Sequence, residues 1–221
     1  LIALMEGWAQ YGDGNDTRAL EIFDEIEVGG YFDVIAGMQK AVILSETGQT
    51  EEADQNFERV ASTGVSPILR IMSQARHKSQ SGDIPGAIEV LESFSTRRGA
   101  VESGPIFTGL TRLKSGEAMD APMSAANHAA RALIDPAGAY FSEGGAHNLG
   151  EFYLRIALML SPDEDFAKIW LGTVLEREER QADAEQLYKT IDDSSDYTVT
   201  ARLARANLMF RNDEDDRAIS L

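Results

Sequence analysis

The sequence contains no cysteine, only three histidines and few basic residues relative to acidic ones. Without cysteine, disulfides, thiolate metal sites and cysteine nucleophiles are excluded. The 37 acidic residues against 20 basic ones give a formal charge of −17. That charge repels nucleic acid and anionic lipid over most of the surface, so we expect neither as a partner, although a local basic patch is compatible with it.

Long hydrophobic runs are also missing. No stretch approaches the roughly 18 apolar residues that a membrane-spanning helix needs, and the N-terminus lacks the basic flank and cleavage site of a signal peptide. The compartment stays open between bacterial cytoplasm and periplasm, because proteins of both often lack cysteine. What the chain does have is 43% apolar residues over 221 positions, enough for a sizeable buried core.

A period of 34 residues organises most of the chain. The residues that mark it are Gly14, Gly48, Gly82 and Gly116, each followed five positions later by Ala19, Ala53, Ala87 and Ala121. Apolar residues follow the first three alanines at i+4 and i+7, which is one apolar face of a helix. Each period is therefore predicted to be a hairpin of two antiparallel helices, the first of which ends at the glycine in a left-handed conformation.

Small residues recur at the same interval in the first helix of each predicted hairpin. They are Gly7, Ala41 and Ala75, and they are predicted to let the first helix approach the second. The spacing returns near the C-terminus with Gly172 and Ala184. The pattern thus covers nearly the whole chain.

This layout resembles the tetratricopeptide repeat family, whose units are helix–turn–helix pairs of the same length. The best single match is "LGTVLEREERQADAEQLY", residues 171–188, with Leu171, Gly172, Ala184 and Tyr188 at consensus positions. The segment 153–172 is also similar to a group of bacterial tetratricopeptide-repeat proteins. The resemblance implies an all-α fold, a right-handed α-solenoid. Both ends fall within a repeat, so we expect a piece of a longer array.

The pattern is interrupted after residue 114. Pro122 lies in "SGEAMDAPM", residues 115–123, which is predicted to be a linker. The linker divides the chain into N-terminal repeats, residues 1–114, and C-terminal repeats, residues 124–221.

The first C-terminal hairpin is predicted to be irregular. Its first helix is expected to start near Ser124 and to end or kink near Pro136, because a proline inside a helix costs about 3 kcal/mol. Its second helix is predicted over "NLGEFYLRIALML", residues 148–160.

No catalytic or metal-binding pattern is found. The zinc-protease, hydrolase-elbow and phosphate-loop motifs do not occur. His77, His128 and His147 are too scattered in sequence to indicate a metal cluster or a triad. We therefore expect a protein without catalytic activity, metal or cofactor.

The resemblance to tetratricopeptide repeats implies a concave groove lined by the first helix of each hairpin, which binds a partner peptide or helix. The groove positions it assigns are Leu4, Trp8, Tyr11, Met38, Val42, Met72, Arg76, Asn207 and Phe210, with Ser45, Ser79 and Leu203 at further positions. Aromatic, methionine and arginine residues are enriched at interfaces. The alternative is that Trp8 and Tyr11 pack against a repeat upstream of this sequence, or against the second helix of their own hairpin.

Basic residues concentrate in one part of this acidic chain. They are Arg70, Arg76, His77, Lys78, Arg97, Arg98, Arg112 and Lys114. Such a cluster suits an acidic peptide or a C-terminal carboxylate, and ordinary solvent-facing positions explain it too. Two other functions are compatible with the sequence. One is a structural protein that self-assembles, as a homodimer through its terminal repeats or the segment 115–150. The other is an accessory domain of a larger enzyme.

Overall fold

The computed structural model describes residues 1–26, 30–63, 67–95, 104–119, 121–142 and 147–221. These residues form thirteen α-helices and no strand, so the predicted all-α class is confirmed. The helices are α1 (Ile2–Gly12), α2 (Asp16–Asp24), α3 (Tyr31–Glu46), α4 (Thr50–Ala61), α5 (Pro67–Gln80), α6 (Ile84–Ser95), α7 (Pro105–Lys114), α8 (Ala125–Ser142), α9 (His147–Leu160), α10 (Asp165–Arg177), α11 (Gln181–Lys189), α12 (Thr198–Arg211) and α13 (Asp215–Ile219).

Most of these helices pack as hairpins with their neighbour along the chain. The pairs are α1 with α2, α3 with α4, α5 with α6, α8 with α9, α10 with α11, and α12 with α13. Helix α7 packs on α6 and α5. The described residues between α7 and α8 carry no helix, as expected for the predicted linker. The division into two sets of repeats at that linker stays a prediction.

The turn inside the early hairpins has the predicted glycine conformation. All four repeat glycines adopt positive φ, for example 76° at Gly48. The residue after each glycine then donates its backbone N–H to a carbonyl five positions back, as Gln49 does to Leu44 over 2.8 Å. This is the 6→1 bond that closes a helix C-terminus, and it is favourable where the glycine carries no Cβ.

The small residues also lie where helices meet. Gly7 faces the ring of Phe23 so closely that a Cβ on it would lie 2.5 Å from Phe23 Cζ. Ala41, Ala53 and Ala75 are fully buried in the same kind of contact. The packing role predicted for these small residues is confirmed, since a larger side chain at any of them would overfill the hairpin.

Helix α8 corrects one of the two outcomes predicted at Pro136. The helix does not end near the proline but continues through it to Ser142. A proline in a helix removes one backbone hydrogen bond, which costs about 3 kcal/mol. Nearly every residue of α8 from 128 to 137 is buried, so apolar packing on several sides offsets that loss. Helix α9 covers the predicted segment 148–160.

Candidate functional site

Helix α8 lies across the first helices of the N-terminal hairpins, with its largest contact in that region against α1. The indole of Trp8 stacks on the imidazole of His128, with centroids 4.9 Å apart and planes 11° from parallel. Trp8 also donates its indole N–H to Gln39 Oε1 over 3.1 Å. The residue is only 1% exposed. The face that α1 was predicted to offer to a partner is therefore occupied by α8.

A buried charge cluster joins the same helices. Glu46, at the end of α3, accepts hydrogen bonds from Arg76 Nε and Nη2 over 3.2 and 3.1 Å. His128 Nε2 lies 3.5 Å from the same carboxylate. Burial raises the pKa of Glu46, but His128 and Arg76 lower it by more, so the net pKa lies below its usual value. The carboxylate thus stays ionised and links α3, α5 and α8.

Two further contacts fix the position of α8. The hydroxyl of Tyr31 donates to the backbone carbonyl of Asp135 over 2.6 Å. Burial raises the pKa of Tyr31, so its hydroxyl remains protonated and able to donate. At the other end, a Cβ built on Gly12 would lie 3.1 Å from the Cβ of Ala125. The two contacts lie ten residues apart on α8, and each joins it to a residue more than one hundred positions earlier in the chain. Together they fix two separate parts of α8 against the N-terminal hairpins.

The predicted groove residues divide into three groups. The first group is buried in one core cluster with Ala129 and Ala132 of α8, and it comprises Leu4, Trp8, Met38 and Val42. Tyr11 is half-buried and packs edge-on against Trp8, with ring centroids 5.5 Å apart. Trp8 also packs edge-on against Phe23 of α2, the second helix of its own hairpin, with ring centroids 6.1 Å apart, which is one of the alternatives that the sequence left open. Its stacking on His128 of α8 was not among those alternatives. These positions offer no open groove in this conformation.

The second group, Met72 and Arg76, lines an open cleft of about 220 Å³ between α5, α7 and the start of α8. We call it the arginine–methionine cleft. The residues lining it are Met72, Arg76, Pro105, Gly109, Arg112, Met119, Ala121, Pro122, Met123, Arg131 and Asp196. Arg131 lies outside the basic cluster noted in the sequence and reaches the cleft from α8.

Each arginine of the cleft is held by a glutamate. Arg112 Nη2 donates to Glu117 over 2.7 Å, and Arg131 Nε donates to Glu164 over 2.8 Å. Burial lowers the pKa of Arg131, and Glu164 raises it by more, so the guanidinium stays charged. Arg76, besides its bonds to Glu46, donates to the carbonyl of Ala121. The cationic side chains are thus fixed in place by partners.

The third group lies on α12 and is exposed. Asn207 faces solvent, Leu203 is 55% exposed and Phe210 is 48% exposed. Val199 extends the same row at helical spacing. We call Val199, Leu203, Asn207 and Phe210 the α12 face. It is the part of the predicted groove that remains open at the C-terminal end of the chain.

His77 and Lys78 of the basic cluster have local partners. His77 is buried, with Nδ1 placed 2.8 Å from Ser45 Oγ and Nε2 placed 3.4 Å from Asp54 Oδ1. The ring of Phe57 covers it at 5.4 Å. This arrangement joins α3, α4 and α5. Lys78 also contacts Asp54. Arg97 and Arg98 of the predicted basic cluster lie outside the described residues.

The described parts of the chain show neither a metal-binding group nor a membrane-spanning helix. Those residues hold no group of three or more histidine, cysteine, aspartate or glutamate side chains able to bind a metal ion. Among the described helices, none is long and apolar enough to cross a membrane.

Comparison with known proteins adds no identification. No family model matches the chain, and no curated protein matches it.

Proposed function

We propose that this chain is a non-catalytic protein-interaction module, built as a right-handed solenoid of tetratricopeptide-like hairpins, which binds a segment of a partner protein. The repeat period, the left-handed glycines and the small residues between helices support this kind of solenoid. Stacked hairpins of this kind present extended surfaces to partners.

One observation carries the proposal: Met72 and Arg76, two groove residues assigned from the sequence, line an open cleft. Arginine and methionine are enriched in protein interfaces, and arginine is enriched among the residues that dominate binding energy. The partner site is thus assigned to the arginine–methionine cleft, and not to the covered surface around Trp8.

Site-specific photo-crosslinking in the host cell tests this assignment. A photoreactive amino acid replaces Pro122, which is exposed at the rim of the cleft. The matched control carries it at Met159, which is 81% exposed on α9 and does not line the cleft. We expect defined protein adducts from position 122 that are absent from position 159 and disappear when Met72→Glu is added. The same adducts from both positions would contradict the proposal.

A second candidate function, self-assembly, is favoured by the exposed apolar side chains of the α12 face. Val199, Leu203 and Phe210 form a row that another copy of the chain is able to cover. Sedimentation equilibrium over a wide concentration range tests it. If the chain self-assembles, its apparent mass should rise with concentration. The Leu203→Glu variant should then keep the mass of a monomer at every concentration. Arg202→Glu, an exposed position on the same helix, is the control for added negative charge.

A further inference from the structure

We propose that the arginine–methionine cleft recognises a short acidic segment inside a partner protein, with carboxylate side chains on the arginines and a neighbouring apolar side chain on the methionines. This inference rests on the proposed function and names the chemistry of the partner.

The first argument is the charge of the cleft. Among the described residues, three arginines and one aspartate line it, in a chain whose formal charge is −17. Each arginine also pairs with a glutamate, Glu46, Glu117 or Glu164, so the cleft as a whole is not strongly cationic. The guanidinium N–H groups nevertheless favour a carboxylate over a basic group at short range, through charge-assisted hydrogen bonds.

The second argument is the unused hydrogen-bonding capacity of Arg112. A guanidinium has five N–H donors in a planar fork. Arg112 donates from Nη2 to Glu117, and its side chain remains 40% exposed. Its Nε is buried from solvent, so an incoming carboxylate has only Nη1 and Nη2 to bind. A carboxylate from a partner is able to accept from both of these groups in bidentate geometry.

The third argument is the apolar wall of the cleft. Met72, Met119 and Met123 line it beside the arginines. Methionine side chains are flexible and polarisable, so they adapt to apolar side chains of different shape. A site of this composition suits a carboxylate flanked by a leucine-like or aromatic residue. It is a poor match for a free inorganic anion, which makes no use of the methionines.

The wall is held in place, which reduces the ordering cost of binding. The backbone N–H of Met119 donates to Ser79 Oγ over 2.8 Å. Gly109 brings α7 close to this segment, since a Cβ on it would lie 3.3 Å from Met119 Sδ. Arg76 holds the carbonyl of Ala121. A preorganised site spends less of its binding free energy on immobilising its own side chains.

Fluorescence anisotropy with labelled nonapeptides tests the inference on the whole chain. The probe alternates glutamate with leucine and has an amidated C-terminus, so that only side-chain carboxylates are present. Two control peptides have the same sequence, one with glutamine and the other with lysine in place of each glutamate. We expect the glutamate peptide to bind at least about tenfold more tightly than either, with an affinity that falls as salt rises.

Matched protein variants locate the binding. Arg112→Gln is expected to weaken the glutamate peptide about tenfold, whereas Lys114→Gln, on the same helix but outside the cleft, leaves it unchanged. Arg112→Lys keeps the charge but loses the planar fork of the guanidinium. Its affinity for the glutamate peptide is therefore expected to lie between that of the unchanged protein and that of Arg112→Gln. Circular dichroism checks that each variant keeps its helices.

Three results would overturn the inference. The first is equal affinity for the glutamate and glutamine peptides, and the second is an equal loss in the Arg112→Gln and Lys114→Gln variants. Binding that requires a free C-terminal carboxylate would also overturn it, because an internal segment has none. If photo-crosslinking at position 122 captures a partner while the peptides show no acidic preference, the proposed function stands and only this inference fails.

Discussion

The N-terminal and C-terminal hairpins share one layout but differ in what covers the first helix of each hairpin. Around Trp8, helix α8 covers that helix, whereas Leu203 and Phe210 of α12 face solvent. The C-terminal ends of the first helices differ as well. In the N-terminal hairpins a glycine has the left-handed backbone conformation there, whereas in the later hairpins Glu179 and Asp213 have it. A position within a repeat thus determines where a side chain points, while its accessibility depends on what packs over it.

The largest expected effect is a difference in stability loss between Trp8 and Phe210, two of the three aromatic residues assigned to the groove from sequence. Trp8→Ala should lower the free energy of unfolding by about 3 to 5 kcal/mol, because it leaves a cavity between α1, α3 and α8. Phe210→Ala, at a half-exposed position, should change it by no more than about 0.5 kcal/mol. Urea unfolding followed by circular dichroism measures both. Equal losses would contradict the difference in burial.

The hairpin contact shared by both regions should respond similarly in each. Ala53→Leu and Ala184→Leu introduce a large side chain at two fully buried positions, and each should cost about 1 to 3 kcal/mol. Ala61→Leu, exposed on the same helix as Ala53, is the control and should be nearly neutral. Unchanged melting of Ala53→Leu would show that the assigned register is wrong.

The caps should respond in opposite directions. Glu179 has φ of 61°, and a left-handed residue with a Cβ costs about 1 to 2 kcal/mol. Glu179→Gly should therefore stabilise the chain by roughly 1 kcal/mol, while Gly48→Ala should destabilise it by a similar amount. Glu179→Ala keeps the strain and serves as the control. A stabilisation by Glu179→Ala equal to that by Glu179→Gly would rule out relief of backbone strain as the cause.

The smallest expected effect is a pH dependence in the N-terminal hairpins. Burial lowers the pKa of His77, partly opposed by Asp54, below the usual value of 6.5. The unfolded chain then binds a proton before the folded one does, so stability should fall as pH drops below 6.5. His77→Gln should flatten this slope. Because the pKa of Glu46 is lowered, its contribution is lost only below pH 4.5, outside that range.

Equal slopes for the wild type and His77→Gln between pH 7 and pH 5 would contradict this assignment. The measurement is urea unfolding at a series of pH values at constant ionic strength.

Local features of the fold were predictable from sequence. The 34-residue period located the turns, and Gly14, Gly48 and their equivalents have the left-handed backbone that the pattern required. A glycine cap and an alanine contact depend on residues close in sequence, so a regular pattern records them directly. The helix over 148–160 was predictable for the same reason.

A usable signal for α8 was present but hidden. Gly138 lies 34 residues before Gly172, and Trp170 packs on it. Leu154 likewise lies 34 residues before Tyr188. These spacings predict a regular hairpin, which the proline at position 136 obscured, because the cost of a proline was weighed without the packing that offsets it.

The packing of α8 over the first helices of the N-terminal hairpins was not predictable. It depends on contacts such as Tyr31 with Asp135, more than one hundred residues apart in the chain, and a repeat period contains no information about them. Only part of the lining of the arginine–methionine cleft was predictable from the sequence. Arg76 and Arg112 stood in the basic cluster of the sequence, whereas Arg131 arrives from α8 once the chain has folded back.

Engineered disulfide formation tests the central claim most directly, namely that α8 covers the N-terminal inner helices and leaves the cleft as the partner site. The chain has no cysteine, so Gly12→Cys with Ala125→Cys introduces one defined pair whose Cβ atoms lie close enough to bridge. The account predicts rapid intramolecular oxidation and unchanged binding of the acidic peptide by the oxidised protein. Failure to form the bridge, or loss of binding once it has formed, would contradict the account.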